Sequence, residues 1–360
     1  MNSQQEQRQI ENILKLIGDL CAVDVWYRHG DRLDMTLTPR SLNLSAITQI
    51  ISERLTLAGY TFSIVEQDQR LRLSVNARPR IRIPGLNILL FVLTLLSIYF
   101  FPVYESNGLS WANTLQDLRS GRGLVFTLAL VSILLVHEMG HYLAGRRRGL
   151  ASSWPYFIPA PTLIGTFGAV IRSKSPFWNR RDLIEVGAAG PIAGWVVAVG
   201  WLIYGLSNAT VIEAGATSVK SIGFYLEGES LLVKLLTPLL AGHAPQGFVY
   251  IFPEAAFAGW VGILVTALNL LPIGQFDGGH IVYGLLPDMQ RRLGWLAMVA
   301  LVALGLQSPI WWIIAVMGFV MRVGHPPTLQ DHIEPGRPAM IMGTIAMIIL
   351  ILSFTPTPFR

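Results

Sequence analysis

The sequence has little charge for its length. Of its 360 residues, 14% are charged and 52% are hydrophobic, whereas an ordinary soluble domain carries about 25% charged residues. Residues 1–83 hold 11 Lys and Arg with 9 Asp and Glu, which leaves 16 and 13 for the other 277 residues. This distribution excludes a soluble enzyme, a disordered scaffold and a fibrous repeat. It predicts a polytopic membrane protein with a small soluble head.

Cysteine and targeting signals are also scarce. Cys21 is the single cysteine, which excludes a disulfide framework and a zinc cluster built on cysteines. Residues 1–20 are polar and mixed in charge, so we expect no signal peptide. The net charge is +5, but most of the excess lies beside apolar segments, where Lys and Arg set topology. We therefore expect the lipid bilayer, and no nucleic acid, as a partner.

Residues 1–77 are predicted to form a soluble cytosolic α/β head. Apolar residues recur there at helical spacing in two places and alternate in four short stretches that are typical of strands. His29 and Cys21 stand alone, so a structural or surface role is expected for each. The sequence does not indicate a partner for the head. Residues 78–84, with two prolines and three arginines, are predicted to be a basic linker at the membrane surface.

Residues 85–355 form the predicted membrane core of about six to seven transmembrane helices. The apolar segments run over 85–104, 123–145, 183–206, 255–272, 295–323 and 339–355, and a span needs about 20 residues. Ser308-Pro309 makes 295–323 either one kinked helix or a hairpin. Segment 150–172 is apolar but rich in Pro and Gly, which favours a re-entrant segment.

Loop charges predict the orientation of the core. With the head inside and 295–323 as a hairpin, the inner segments hold 14 Lys and Arg and the outer segments hold 5. This is a positive-inside bias. It favours the hairpin over the kinked helix, because the charges alternate correctly only with the hairpin.

A candidate metal site lies within segment 123–145, in the run His137-Glu138-Met139-Gly140-His141. His137 and His141 are four residues apart, so both imidazoles leave one helix face and can bind one zinc ion. Glu138 lies beside them, where a carboxylate can accept a proton from the attacking water. Composition alone would produce this pattern about once in two hundred such chains. The alternative is a group of buried polar residues that pair with one another.

The third metal ligand is predicted to be Asp277. It carries the only formal charge in residues 255–286, and the prolines and glycines around it should break the helix so that its carboxylate faces a cavity. Asp288, in a predicted surface loop, and Glu185, at the start of a helix, are weaker candidates.

These motifs resemble the site-2 protease family of intramembrane zinc metalloproteases. The likeness rests on His137-Glu-x-x-His141 followed by Asn269-x-x-Pro272 and Asp277-Gly278, and it covers roughly residues 85–335. It implies one Zn²⁺ per chain, Glu138 as the catalytic residue, and regulated proteolysis of a transmembrane protein substrate, with or without an earlier cleavage.

The resemblance also implies roles for other residues. Asn269 would bind substrate or the developing oxyanion; the alternative is an interhelical hydrogen bond. Gly165–Val170 resembles the family's re-entrant β-loop. Gly165–Ile171 would receive the substrate as an added strand, with Gly165, Thr166, Phe167 and Gly168 as its candidate binding residues; the alternative is a tight turn. Gly190 and Gly194 resemble the family's small-residue motif, and helix packing is the simpler explanation.

Helix geometry places the site towards the head. At 1.5 Å per residue, His141 lies on the order of 8 Å and His137 roughly 14 Å from the inner end of their helix. We therefore predict an active site in the cytosolic half of the bilayer. The lack of an N-terminal targeting segment favours a prokaryotic cytoplasmic (inner) membrane, although a processed organellar form would look the same. The rival class is a non-proteolytic zinc-binding transporter or a scaffold with a relict site. A transporter should show matching internal repeats, which are not evident, and a relict site should have lost a ligand.

Overall fold

The computed structural model describes residues 3–29, 31–41, 43–67, 69–76, 83–173, 175–213, 228–246 and 248–358. Residues 78–82 of the predicted linker lie outside them. The described helices are α1 Ser3–Ile17, α2 Leu44–Leu57, α3 Gly85–Ser106, α4 Trp111–Arg119, α5 Leu124–Arg147, α6 Arg180–Ser207, α7 Leu231–Leu240, α8 Glu254–Asn269, α9 Asp277–Leu285, α10 Pro287–Leu304, α11 Ile310–Val320 and α12 Arg337–Ser353. The described strands are β1 Cys21–His29, β2 Arg32–Pro39, β3 Phe62–Gln67, β4 Arg70–Asn76, β5 Tyr156–Pro159, β6 Thr166–Val170, β7 Thr210–Glu213 and β8 Phe248–Ile251.

The head is a four-stranded antiparallel sheet with α1 and α2 packed on one face. The strand order is β1-β2-β4-β3. Successive side chains of a strand point to opposite faces, so the apolar residues at every second position of β2 and β4 reach the same core. These residues are Leu33, Met35, Leu37, Leu71, Leu73 and Val75. The hydrophobic alternation therefore predicts the two central strands well.

Cys21 belongs to the core of the head. Its side chain is 1% exposed, and burial raises the pKa of the thiol to about 11. A thiol with such a pKa stays protonated near neutral pH and is a poor nucleophile. The structure thus gives Cys21 a packing role.

The core of the head extends into the chain beyond α5. Ala151 is fully buried in the head's hydrophobic cluster. Gly149 has a φ of +74°, and a Cβ atom there would lie 2.8 Å from the Asn12 side chain. Glycine is required here because it adopts this backbone conformation without strain and leaves room for α1. The head is thus packed directly against the segment that follows α5.

Three described helices, α3, α5 and α6, are long and apolar enough to cross a membrane. Helices α7, α8, α11 and α12 are apolar but have 10–17 residues each. The region 295–323 forms α10 and α11 as separate helices. The Trp312 indole donates a hydrogen bond to the carbonyl of Val302 at 3.1 Å, so the chain reverses between them as the hairpin interpretation requires.

Helices α5, α6 and α8 form the centre of the membrane part. Small residues let their backbones approach closely. A Cβ atom at Gly205 would lie 2.2 Å from the backbone nitrogen of Ala256, and one at Gly259 would lie 2.5 Å from that of Leu202. Such close approach between helices is typical of glycine-rich interfaces in membranes. It fixes α6 and α8 relative to each other.

Segment 150–172, predicted to be re-entrant, contains a β-hairpin. Strands β5 and β6 pair antiparallel, and α3 holds the hairpin through side-chain hydrogen bonds. The Asn87 amide donates to the carbonyl of Pro155 at 2.9 Å, and the Ser97 hydroxyl donates to that of Ala160 at 3.0 Å. These polar side chains on an apolar helix donate hydrogen bonds to backbone carbonyls of the hairpin, which lipid chains could not do.

Candidate metal centre

Three ligand atoms from two helices converge at one point. The Nε2 atoms of His137 and His141 lie 3.1 Å apart. The Asp277 Oδ2 atom lies 3.5 Å from the His137 Nε2 atom and 3.2 Å from that of His141. Among the residues that the structure describes, this is the one group of three His, Cys, Asp or Glu side chains that could hold a metal ion. It contains the three ligands predicted from the sequence.

The spacing of these atoms fits zinc. A tetrahedral zinc ion with bonds of about 2.0–2.1 Å separates its ligand atoms by about 3.3 Å. The three measured separations are 3.1, 3.2 and 3.5 Å. Two imidazoles and one carboxylate leave one tetrahedral position open, as in catalytic zinc sites. The donor set therefore suits a catalytic zinc ion.

The backbone of α6 orients one ligand. The His141 Nδ1 atom lies 2.8 Å from the carbonyl oxygen of Val186. Because a carbonyl only accepts hydrogen bonds, Nδ1 carries the proton and Nε2 keeps its lone pair for a metal. Metal-binding histidines commonly use such an outer partner to fix the tautomer.

Glycines on α6 make room for both histidines. A Cβ atom at Gly190 would lie 2.1 Å from the His141 Nε2 atom, and one at Gly194 would lie 2.9 Å from the His137 Cβ atom. The two glycines are four residues apart, like the two histidines, so each faces one ring. The structure supports the packing interpretation of this glycine pair. The side chains that pack against the two glycines are the metal ligands His141 and His137.

We expect Gly190→Ala to weaken zinc binding by about 10–100-fold, the range found when the support of a ligand is lost. The added methyl would occupy space taken by the His141 ring. Zinc content after dialysis against a graded series of chelator concentrations measures the effect. Gly200→Ala, on the same helix with nothing within 4 Å of its Cβ position, is the matched control and should bind zinc normally. Equal zinc affinity in the two variants would contradict this role for Gly190.

A turn between α8 and α9 carries Asp277 to the histidines. Gly274 has a φ of +50°, and its amide donates to the carbonyl of Val323 at 3.0 Å. A Cβ atom at Gly278 would lie 1.8 Å from the Leu270 carbonyl oxygen. The turn therefore folds tightly back on the end of α8, and α9 begins at Asp277 itself. The predicted helix break is present at this position.

The metal ligands line a cavity of about 620 Å³ that also contains Glu138 and Asn269. Glu138 is 8% exposed. The Asn269 Nδ2 atom lies 3.3 Å from the His137 Nε2 atom, which places an amide within reach of a group bound at the ligand atoms. The structure thus brings a carboxylate and an amide to the same small space as the metal ligands.

The predicted substrate-binding loop lies at the edge of this arrangement. Gly165 packs against the backbone of α3, Thr166 is buried, and Phe167 is 72% exposed. The hydroxyl of Thr166 donates to the carbonyl of Ile158 at 2.8 Å, which closes the hairpin, and Gly168 has a φ of +91°. The part of the predicted segment 165–171 that lines the cavity is its end, Ala169–Ile171. The role predicted for residues 165–168 in substrate binding remains a prediction.

Two further histidines line the cavity. The Nδ1 atom of His280 and the Nε2 atom of His325 lie 2.6 Å apart, and both residues line the cavity. His325 lies in the loop after α11, and no motif in the sequence marks it as a cavity residue. Its position depends on the chain returning from α11, which no local pattern near His325 reveals.

The alternative third ligands are used elsewhere. Glu185 forms ion pairs with Arg148 and Arg181. Asp288 is exposed in the first turn of α10. Neither is among the groups that the structure brings to the two histidines.

Curated relatives of this chain carry zinc metalloprotease names. It is 33% identical over 65% of its length to "Probable zinc metalloprotease EGY1, chloroplastic" of Arabidopsis thaliana, of which it covers 43%. It is 30% identical over 72% of its length to "Probable zinc metalloprotease EGY2, chloroplastic" of Oryza sativa subsp. indica, and it covers 47% of that protein. It is 29% identical over 76% of its length to the EGY2 protein of Arabidopsis thaliana, and it covers 48% of that protein. The chain therefore spans about half the length of the curated relatives it matches. No solved structure shows a significant match.

These relatives contradict the predicted location. The prediction of a prokaryotic cytoplasmic membrane is wrong, because the related proteins are named chloroplastic and so point to a plastid membrane. The prediction rested on the lack of a recognisable targeting segment, which a processed plastid protein shares with a prokaryotic one. Loop charge could not correct it, because it indicates the side of a membrane and does not identify the membrane.

The family comparison covers the whole metal centre. The model for peptidase family M50 matches residues 125–306, a range that contains both histidines, Glu138 and Asp277. This match agrees with the motif resemblance described above. The chain therefore belongs to peptidase family M50.

Proposed function

We propose that this chain is a zinc metalloendopeptidase that hydrolyses peptide bonds of transmembrane substrate helices, as in regulated intramembrane proteolysis. One observation carries the proposal: His137, His141 and Asp277 present their ligand atoms together, in a cavity that Glu138 also lines, among the apolar helices. Ionisable residues are costly in such a place and usually serve a function. The zinc metalloprotease names of the relatives support the same activity.

The chemistry divides between the metal and the side chains around it. When bound, zinc supplies a Lewis acid that activates water and polarises a carbonyl group. His137, His141 and Asp277 would hold it. Glu138 accepts the proton of the attacking water and donates a proton to the leaving amine, the role that a buried carboxylate can fill at this position.

Asn269 is proposed to stabilise the developing oxyanion. Its amide lies at the ligand atoms, 3.3 Å from His137, and an amide donor can bind negative charge that appears during the reaction. Loss of one such donor in other enzymes costs about 2.7–4 kcal/mol of barrier. The alternative, an interhelical hydrogen bond from this amide to the His137 Nε2 atom, would use the lone pair that a metal ion requires.

The substrate must present an extended backbone, because a helix uses its own amide groups in internal hydrogen bonds. Strand β6 could receive it. Within the described chain β6 pairs only with β5, and its end at Ala169 and Val170 lines the cavity. A substrate strand added to the other edge of β6 would run towards the metal ligands.

The setting is proposed to be a plastid membrane, following the names of the relatives. Six to seven membrane segments would result if α8, α12 and the α10–α11 hairpin also lie in the bilayer with α3, α5 and α6. The apolar composition of α8, α11 and α12 supports this. The partners would then be the bilayer and a transmembrane protein substrate, with or without an earlier cleavage.

A reconstituted cleavage assay tests the proposal. The full chain is placed in lipid vesicles with a model substrate whose transmembrane helix contains a central Gly-Pro pair, and the products are mapped by mass spectrometry. We expect a zinc-dependent cut within the apolar segment. A matched substrate with Leu-Leu at the same positions should be cut more slowly, because it unwinds less readily.

Two outcomes would contradict the proposal. One is the absence of cleavage by zinc-loaded protein. The other is cleavage confined to the soluble flanks of the substrate.

A further inference from the structure

Helix α1 of the head lies against the segments that border the metal helices. The Trp178 indole donates to the carbonyl of Lys15 at 2.8 Å. The Lys15 ammonium lies 3.3 Å from the Asp182 carboxylate and donates to the carbonyl of Arg148 at 3.3 Å. Asp182 is 1% exposed, so the head supplies a cation to a buried acid at the start of α6. The head is therefore attached at the ends of both α5 and α6.

The segment that contains Trp178, together with a second segment after α11, forms one side of the catalytic cavity. We define the cavity bridge as residues 175–178 and 325–330. The amides of Leu329 and Gln330 donate to the carbonyls of Phe177 and Trp178 at 3.1 and 2.8 Å, which joins the two parts. Phe177 and residues 325–328 line the cavity. The bridge therefore stands between the metal ligands and the head.

The bridge is fastened on its other side to α9, the helix that begins with Asp277. The His280–His325 contact and the hydrogen bond from the Tyr283 hydroxyl to Asp331, at 2.5 Å, hold this side. On the head side, Trp178 connects the bridge to α1. A Cβ atom on Gly18 of the head would lie 3.0 Å from the Trp178 ring, so the ring packs closely against the end of α1.

We propose that Trp178 is a positioning residue through which the head holds the cavity bridge closed over the catalytic cavity. Movement of α1 would release Trp178, loosen the bridge and admit substrate. The head then regulates access to the site, and whatever binds the head can change the rate of cleavage. This inference rests on the proposed function for its biological meaning, but the closure of the cavity can be measured without proteolysis.

The test uses a cysteine placed in the cavity. Ser152 lines the cavity, is 7% exposed, and differs from cysteine by one atom. The Ser152→Cys protein in lipid vesicles is treated with a small maleimide near neutral pH, and the labelling rate is measured. Cys21 should contribute little, since its thiol is buried with a pKa of about 11. The protein without the Ser152 substitution gives this background.

Two variants disturb the contact between position 178 and α1. Trp178→Phe keeps an aromatic ring but loses the indole hydrogen bond to Lys15. Gly18→Val adds a side chain at the Trp178 ring. In each variant we expect labelling of the introduced cysteine to accelerate by about fivefold, the shift that the loss of one ordinary hydrogen bond produces, with no large change in Tm. Trp312→Phe, which removes an indole–carbonyl hydrogen bond in the α10–α11 hairpin, is the matched control and should label at the parent rate.

Cleavage provides the second readout. If the bridge governs entry, both variants should lower KM while kcat stays near the parent value, which a general loss of packing would not produce. Labelling that is unchanged or slower in both variants would overturn the inference. Faster labelling in protein that never cleaves a substrate would support the inference and count against the proposed function, so the two are separable.

Discussion

Replacing Glu138 with Gln is expected to abolish most proteolysis while zinc remains bound. Gln has the shape of Glu but cannot accept the proton of the attacking water, and removal of a positioned general base costs about 10²–10⁴-fold in rate. The metal ligands are His137, His141 and Asp277, so the substitution leaves the ligand set intact. Cleavage of the model substrate and zinc content are measured on the same purified sample.

The control for this experiment is Glu105→Gln. Glu105 is an exposed residue near the end of α3, and its substitution should leave cleavage and zinc content unchanged. Proteolysis that survives the Glu138 change would remove the carboxylate from the mechanism. Zinc lost together with activity would instead assign Glu138 a structural part in the metal site.

Replacing Asp277 with Ala is expected to weaken zinc binding by more than about 100-fold, beyond the 10–100-fold that loss of an outer partner costs. The change removes one of three ligand atoms and the only carboxylate among them. Proteolysis should fall with zinc occupancy and should be partly restored by added zinc. Zinc affinity is measured by competition with a chelator of known affinity.

Two comparisons make the Asp277 result specific. Asp277→Asn keeps the size of the side chain but loses its charge, so we expect intermediate zinc affinity. Asp288→Asn changes an exposed aspartate of α10 and should have no effect. If Asp277→Ala bound zinc as tightly as the parent protein, the third ligand would have to be sought elsewhere.

Much of the metal centre could be predicted because its chemistry has a local signature. Two histidines one helical turn apart, with a glutamate directly after the first, are visible in five consecutive residues. Asp277 was found by its isolation, as the one charge within a long apolar stretch. The structure brings both pieces together at the distances that a metal requires.

Other parts of the site have no such signature. The carbonyl of Val186 holds His141, but any residue offers a carbonyl, so its role depends on how α5 and α6 cross. The two parts of the cavity bridge are about 150 residues apart and meet through backbone hydrogen bonds. Segment 165–171 was predicted from its motif, but which of its residues line the cavity depends on where the hairpin rests on α3. Tertiary packing decides these features, and one sequence does not encode them in a readable pattern.

The fold divides in the same way. Alternation and helical spacing located the strands and helices of the head, and long apolar runs located the membrane helices. The number of spans is harder to read from sequence because α11, with 11 residues, is apolar without being long enough to cross a bilayer alone.

The burial of Ala151 in the core of the head has a consequence for modularity. A domain whose hydrophobic cluster includes a residue from the chain beyond α5 is not a detachable unit, because its interior is completed only in the intact protein. Recombination that exchanged this head for an unrelated domain would leave a gap in the core of the removed head, at the place of Ala151. It would also leave Ala151 uncovered on the remaining protein. The head and the metal helices are therefore expected to diverge together, as one inherited module.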